Sequence, residues 1–217
     1  LLAERPGKVS INTVLTRENH SIEAIATWFR DRLGKDVPLA LEGVVNTYDA
    51  ATLLGSGAFD EDDLRHLSDE VFYPLANDPN AFGLGERLNG FIRSLVDRRP
   101  VTALGQKCGM DRADDIAVDL LGNVMTCQNT GAKGVHKIGH VEAFEEIALD
   151  TATHFAFRPE CMACPVVQLC KGSCMFLEGE FFAQSCRNEY AYNLGILRAA
   201  LYHLTGLMLV RVEPSVG

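Results

Sequence analysis

The stretch Cys161-Met-Ala-Cys164-Pro-Val-Val-Gln-Leu-Cys170-Lys-Gly-Ser-Cys174 constrains this chain more than any other, and Cys186 follows a short way beyond. Four cysteines spaced C-x2-C-x5-C-x3-C bring their sulfurs together whatever fold surrounds them, and thiolates so placed suit a soft metal or an iron-sulfur cluster. A chain of 217 residues buries about 70% of the surface its unfolded form exposes, so it needs no crosslinks to fold. The cysteines therefore call for another explanation. Their number, seven, is odd, and C-x-x-C spacing in a sequence that shows no secretory signal points to metal rather than to a disulfide framework. The expectation is a protein of the reducing cytoplasm.

The net charge of −9 includes no lysine- or arginine-rich run, which argues against nucleic acid or an anionic membrane surface as partner. No apolar run is long enough to span a bilayer. Small molecules, peptides or proteins remain as partners. The opening Leu1-Leu2-Ala-Glu-Arg-Pro reads as a piece that starts partway through something larger.

Residues 9–15 alternate Ser10, Asn12 and Val14 against Ile11, Thr13 and Leu15, the pattern of a half-buried strand. Asn19 or Ser21 can cap a helix in which Ile22, Ile25, Phe29 and Leu33 recur before Gly34 stops it. Residues 39–45 read as a second strand, so the opening is a βαβ unit with parallel strands, a fragment of an α/β sheet or barrel. The acidic run Asp60–Asp63 starts a helix with Leu64, Leu67, Val71 and Leu75 on one face. Leu84, Leu88, Phe91 and Leu95 mark another, ended by Pro100. The boundary falls between Pro100 and Cys108, dividing an α/β portion, 1–100, from a cysteine-bearing portion, 101–217.

In the second portion, Ile116 to Cys127 reads as a β-hairpin turning at Gly122 and Asn123. Residues 141–149 read as a short helix. A last helix begins near Cys186, with Tyr190, Leu194, Leu197, Leu201 and Leu204 on one face before Gly206.

All seven cysteines fit one pattern: Cys108-x13-Gly122-x4-Cys127, a gap, Cys161-x2-Cys164-x5-Cys170-x3-Cys174, another gap, then Cys186. The phrases Cys108-Gly109, Gly122-Asn123-Val124, Cys164-Pro165 and Lys171-Gly172-Ser173-Cys174 accompany it. This resembles the seven-cysteine SPASM domain, the auxiliary-cluster region of radical S-adenosylmethionine (SAM) enzymes that modify peptides and proteins. More loosely, Lys8 to Asn19 resembles the fifth strand of the radical SAM partial barrel. The resemblance implies a fold class of α/β type: the last part of a partial (β/α)6 barrel followed by a hairpin and short helices around two clusters. It also implies that Cys161, Cys164, Cys170 and Cys186 hold a distal [4Fe-4S] cluster, and that Cys108, Cys127 and Cys174 hold a proximal one. Two such clusters want eight ligands, so one iron of the proximal cluster takes Asp111, Asp114 or His136, or stays open for a substrate thiolate.

The sequence contains no C-x3-C-x2-C, the motif that carries the SAM-cleaving cluster in this family. The resemblance therefore implies that SAM and a third [4Fe-4S] cluster belong to an upstream half, and that the chain does not cleave SAM alone. A peptide or protein substrate and a reductant such as flavodoxin or ferredoxin are the implied partners. Sulfatase-maturing members carry an Asp after the second cysteine. Here the position is Gln128, and a neutral amide cannot act as base, which favours crosslink formation. The Cys-Pro-Val-Val-Gln-Leu-Cys-Lys-Gly-Ser-Cys wording is similar to that of members that install thioether bonds in the quinohemoprotein amine dehydrogenase small subunit. Asn12 on the polar strand face and Arg17 at the strand's C-terminal end are candidates for a SAM or substrate contact, since barrels place ligands there.

The rival reading is a zinc site of four thiolates that holds loops together in a non-enzymatic domain binding a peptide or partner protein. It leaves Cys108, Cys127 and Cys186 without a role. The remaining histidines, His20, His66, His140, His154 and His203, read as surface or packing residues, and Phe181, Phe182 and Tyr190 as core or shielding.

Overall fold

A computed structural model describes residues 9–100, 105–110, 112, 114–148 and 153–212, apart from the side chain of Thr52. The chain is mixed α/β, with two small sheets and helices carrying most of the buried surface. Strand β1 (Ile11–Leu15), helix α1 (Ile22–Leu33) and strand β2 (Leu39–Val44) form the expected βαβ unit. Ser21 caps α1 by accepting from the Ala24 N–H, and Gly34 closes it in left-handed backbone. The two strands pair in parallel from Ile11↔Leu39 to Leu15↔Val44, with a bulge that leaves Glu42 as the extra residue. A bulge re-aims its side chain, and here it turns Glu42 outward to accept from Asn12 Nδ2 at 2.7 Å. Among the described residues this sheet has two strands and does not close into a barrel.

After the short helix α2 (Ala50–Leu54) comes α3 (Glu61–Asn77). Asp60 and Asp63 form a reciprocal capping box at its start, and three acidic residues occupy its first turn, which complements the positive helix end. The predicted stripe Leu64, Leu67, Val71 and Leu75 is buried. Helix α4 (Gly85–Asp97) buries Leu88 and Phe91 below the preceding Leu84.

The hairpin forms as read: β3 (Ala117–Val118) pairs antiparallel with β4 (Asn123–Met125), and Gly122 takes the left-handed turn position. Asp119 Oδ1 accepts the N–H groups of Leu121 and Asn123, fixing the turn. A third strand, β5 (Lys137–His140), adds to β4. Residues 141–149 differ from expectation: Val141–Glu146 is a 3-10 segment broken at Ala143. Residues 149–152, like the proposed boundary residues 101–104, lie outside the described residues.

Two four-residue helices, α5 (Pro159–Met162) and α6 (Val167–Cys170), carry the cysteine-rich stretch. The last helix, α7 (Gly179–Thr205), starts two turns before the expected position, so Cys186 lies inside it. It also turns a different face inward. Tyr192, Ile196, Ala199 and Ala200 are fully buried; of the expected stripe Leu197 is buried with them, Tyr190, Leu194 and Leu201 are half-buried and Leu204 is exposed. The reason is that α7 is surrounded along its middle by α3, α4 and α6, so polar Asn188, Glu189 and Asn193 go inside, each with hydrogen-bond partners. One apolar core therefore runs from Leu15 and Leu41 through Leu67 and Leu88 to Leu169 and Ile196. Each such side chain contributes roughly 1.5–3 kcal/mol on burial.

Candidate functional site

The seven cysteines fall into two groups, and none is paired as a disulfide. Pro159 starts α5 at a position where its missing N–H costs nothing, which places Cys161 in that helix and Cys164 just past its end. Cys170 ends α6 and Cys186 projects from α7. These four thiols line one cavity of about 20 Å³, whose wall also includes Val166, Gly172 and Tyr190. Gly172 is required there, because a Cβ at that position would stand 2.4 Å from Phe155 Cβ.

Burial pushes up all four thiols, Cys170 to about 12 and Cys186 to about 11, and neighbouring thiols add to the rise at Cys161, Cys170 and Cys186. After burial, Glu189 adds most to the rise at Cys170. Arg158 opposes the rise at Cys161 and Cys186. Its guanidinium is buried, lies 3.9 Å from the centre of the Phe182 ring and donates to the Leu177 carbonyl at 2.8 Å. A buried cation near Cys161 and Cys186 favours the ionised, ligating form of those two thiols.

Cys174 leaves this group although it is four residues from Cys170. The intervening Lys171, Gly172 and Ser173 all have positive φ, at 52°, 74° and 59°, and left-handed backbone costs a non-glycine residue roughly 1–2 kcal/mol. The turn is held from the α/β unit: Asn46 Oδ1 accepts from Ser173 Oγ at 3.2 Å and from Ser185 Oγ at 2.6 Å. Cys174 consequently faces buried Cys127 at the end of the hairpin, both of them packed with Met110, Met175 and Phe176.

Tyr48 joins this second group. Its hydroxyl donates to Cys174 Sγ at 3.2 Å. Burial first, then the charge of Cys174 and its hydrogen bond, then Cys127 and Cys108, push the phenol far above its ordinary value of 10.0. Burial raises the Cys174 thiol, and the Tyr48 hydrogen bond partly offsets that rise. Cys108 is exposed but within electrostatic reach of both.

Of the proposed eighth ligands, Asp111 lies outside the described residues. Asp114 is exposed and accepts from Arg112 Nε at 2.9 Å and Nη2 at 2.6 Å. His136 is half-buried with Nδ1 on Thr126 Oγ1 at 3.0 Å, and burial lowers its pKa. Gln128 is exposed beside Cys127. Asn12 is committed to Glu42, and Arg17 forms an ion pair with Asp63 at 3.4 Å. Neither Asn12 nor Arg17 lines the cavity at the end of β1 and β2. That cavity, about 490 Å³, is bounded by Glu42, Asn46, Tyr48, Asp49, Lys107, Asn129 and Glu189 among others. The other histidines have ordinary partners, such as the Leu75 carbonyl for His203 and the Leu121 carbonyl for His140.

The donor chemistry of the four-thiol cavity fits a thiophilic occupant. Its room suits one water-sized guest, so a cubane cluster would need the four thiols further apart than they stand here. Among the described residues, no three His, Cys, Asp or Glu side chains converge on one point as a single bound ion requires. No described helix is long and apolar enough to cross a membrane. Sequence reasoning missed Tyr48, Asn46 and Arg158. The one signal for the first two was their position just past a parallel strand's C-terminal end, where α/β folds place sites. Comparison with protein-family models, curated proteins and solved structures gives no match.

Proposed function

We propose that the chain carries two [4Fe-4S] clusters, one on Cys161, Cys164, Cys170 and Cys186 and one on Cys108, Cys127 and Cys174, as the auxiliary-cluster part of a radical SAM enzyme that modifies a peptide or protein. The observation that supports it is the grouping of the thiols: Cys174 does not line the cavity that the other four share and lies beside Cys127 and Tyr48, although it also packs at the edge of the Phe155, Leu177 and Phe182 cluster that includes Cys161. A single zinc scaffold would keep Cys174 with its sequence neighbours.

When bound, such clusters supply electron transfer and, at an iron without a protein ligand, a Lewis-acid position. The residues of this chain do the rest. Arg158 balances the negative charge of the four-thiolate site, and Phe182 and Leu177 keep water from it. The Asn46 latch holds the strained turn that separates the two sites. Gln128 and Asn129, next to Cys127, border the three-thiol site without offering a base, which favours crosslinking over oxidation of the sulfatase-maturase kind. SAM and its own cluster belong to an upstream half in this reading, with flavodoxin or ferredoxin as reductant.

The test is anaerobic reconstitution with iron and sulfide. Iron enough for two clusters is expected, with Cys174→Ala losing one cluster and Cys164→Ala losing the other. A colourless protein containing zinc would sink the proposal, and loss of the same cluster in both variants would refute the division of ligands.

A further inference from the structure

Tyr48 lies on the stretch that follows β2, four residues beyond its end, and reaches 126 residues along the chain to Cys174. Its ring is half-buried with Phe181 and Leu177. Two cavities meet at it, the one of about 490 Å³ bordered by Glu42 and Asn129 and one of about 310 Å³ bordered by His136 and Phe176. A phenylalanine would fill the same space. The hydroxyl adds one thing, a hydrogen bond aimed at the sulfur.

We propose that Tyr48 is a positioning residue of the three-thiol centre, holding the Cys174 sulfur and setting that centre's reduction potential above the value its ligands alone would give. The inference rests on the proposed function. An added electron places negative charge on the ligand sulfurs, so an O–H dipole directed at one of them stabilises the reduced form and raises the potential. The effect is enhanced because Cys174 and Tyr48 are both half-buried, and a hydrogen bond there is less screened than at the surface. It is also selective. No hydrogen bond joins Tyr48 to a thiol of the four-thiol cavity, whose wall does not include it.

The experiment compares the reconstituted wild-type chain with Tyr48→Phe and with a chain carrying 3-fluorotyrosine at position 48. Iron and sulfide are counted first, and the midpoint potential of each centre is then followed by paramagnetic resonance. The signal missing from Cys174→Ala identifies the three-thiol centre. The expected result is unchanged iron content, a lowered potential for the three-thiol centre in Tyr48→Phe, a raised one with the more acidic fluorophenol, and an unmoved four-thiol centre. Wild-type protein that takes up no iron overturns the cluster reading and this inference with it. Normal iron with a three-thiol potential that is unmoved by either replacement, or that moves equally with the other centre, overturns the role of Tyr48 alone. Should Tyr48→Phe fail to fold, the fluorotyrosine chain, which keeps shape and hydrogen bond, decides the matter.

Discussion

Glu189 shows how a single buried residue ties distant segments of this chain together. Its side chain is 1% exposed, yet it carries a carboxylate that accepts from Lys107 Nζ and from Asn193 Nδ2. Removing one partner of a buried ion pair costs roughly 3–5 kcal/mol, because the other charge stays behind uncompensated. Lys107→Met should cost about 3 kcal/mol, at the low end because Lys107 is itself 29% exposed and screened. Glu189→Gln removes the charge while keeping an acceptor for Asn193, and should cost less. Urea unfolding of the metal-free chain measures both, and an equal or reversed order would mean that the charge pair is not what holds Lys107 against α7. At this scale the cysteines were legible, because ligand spacing is a property of the chain. Tyr48, Asn46 and Arg158 were not, since each is a lone residue whose partner lies elsewhere: Asn46 and Ser173 are 127 apart.

Among the elements, α3 and α7 pack tightly at Gly195, where a Cβ would stand 2.6 Å from Val71 Cβ and 2.7 Å from the Ser68 carbonyl oxygen. Alanine is the better helix former by about 1 kcal/mol, but overpacking typically costs 1–3 kcal/mol. The Ser68 oxygen is backbone and cannot swing aside. Gly195→Ala should therefore lower stability by about 1–2 kcal/mol, read as a lower thermal midpoint; a rise would show that the helices move apart freely. The capped helices α1 and α3 were readable from their ends and stripes, and α4 from its stripe and the Pro100 beyond it. Two others were not. The start of α7 has no side-chain cap, so the apolar pattern alone misplaced it, and β5 is four residues with no alternation of burial.

The whole molecule buries four thiols around one cavity, and this gives it a pH dependence. In the unfolded chain a thiol ionises near 9.0, whereas in the fold Cys170 is held to about 12 and Cys186 to about 11, burial being the main cause. Below pH 9 both states keep the protons and stability is level. Above it the unfolded state binds fewer protons, so stability falls by about 1.4 kcal/mol per pH unit for each thiol that the fold keeps protonated. The urea midpoint of the metal-free chain should drop between pH 8 and pH 10, and a flat profile would show that the thiols are open to water. By itself the sequence determined the βαβ opening, the capped helices, the hairpin and a dense supply of soft ligands, because propensity, capping and spacing act along the chain. Only the tertiary structure decided which thiols stand together and what surrounds them. Three left-handed residues and the bonds from Asn46 turn Cys174 away from Cys170, and Tyr48 meets it there, a consequence of packing between segments that no local pattern encodes.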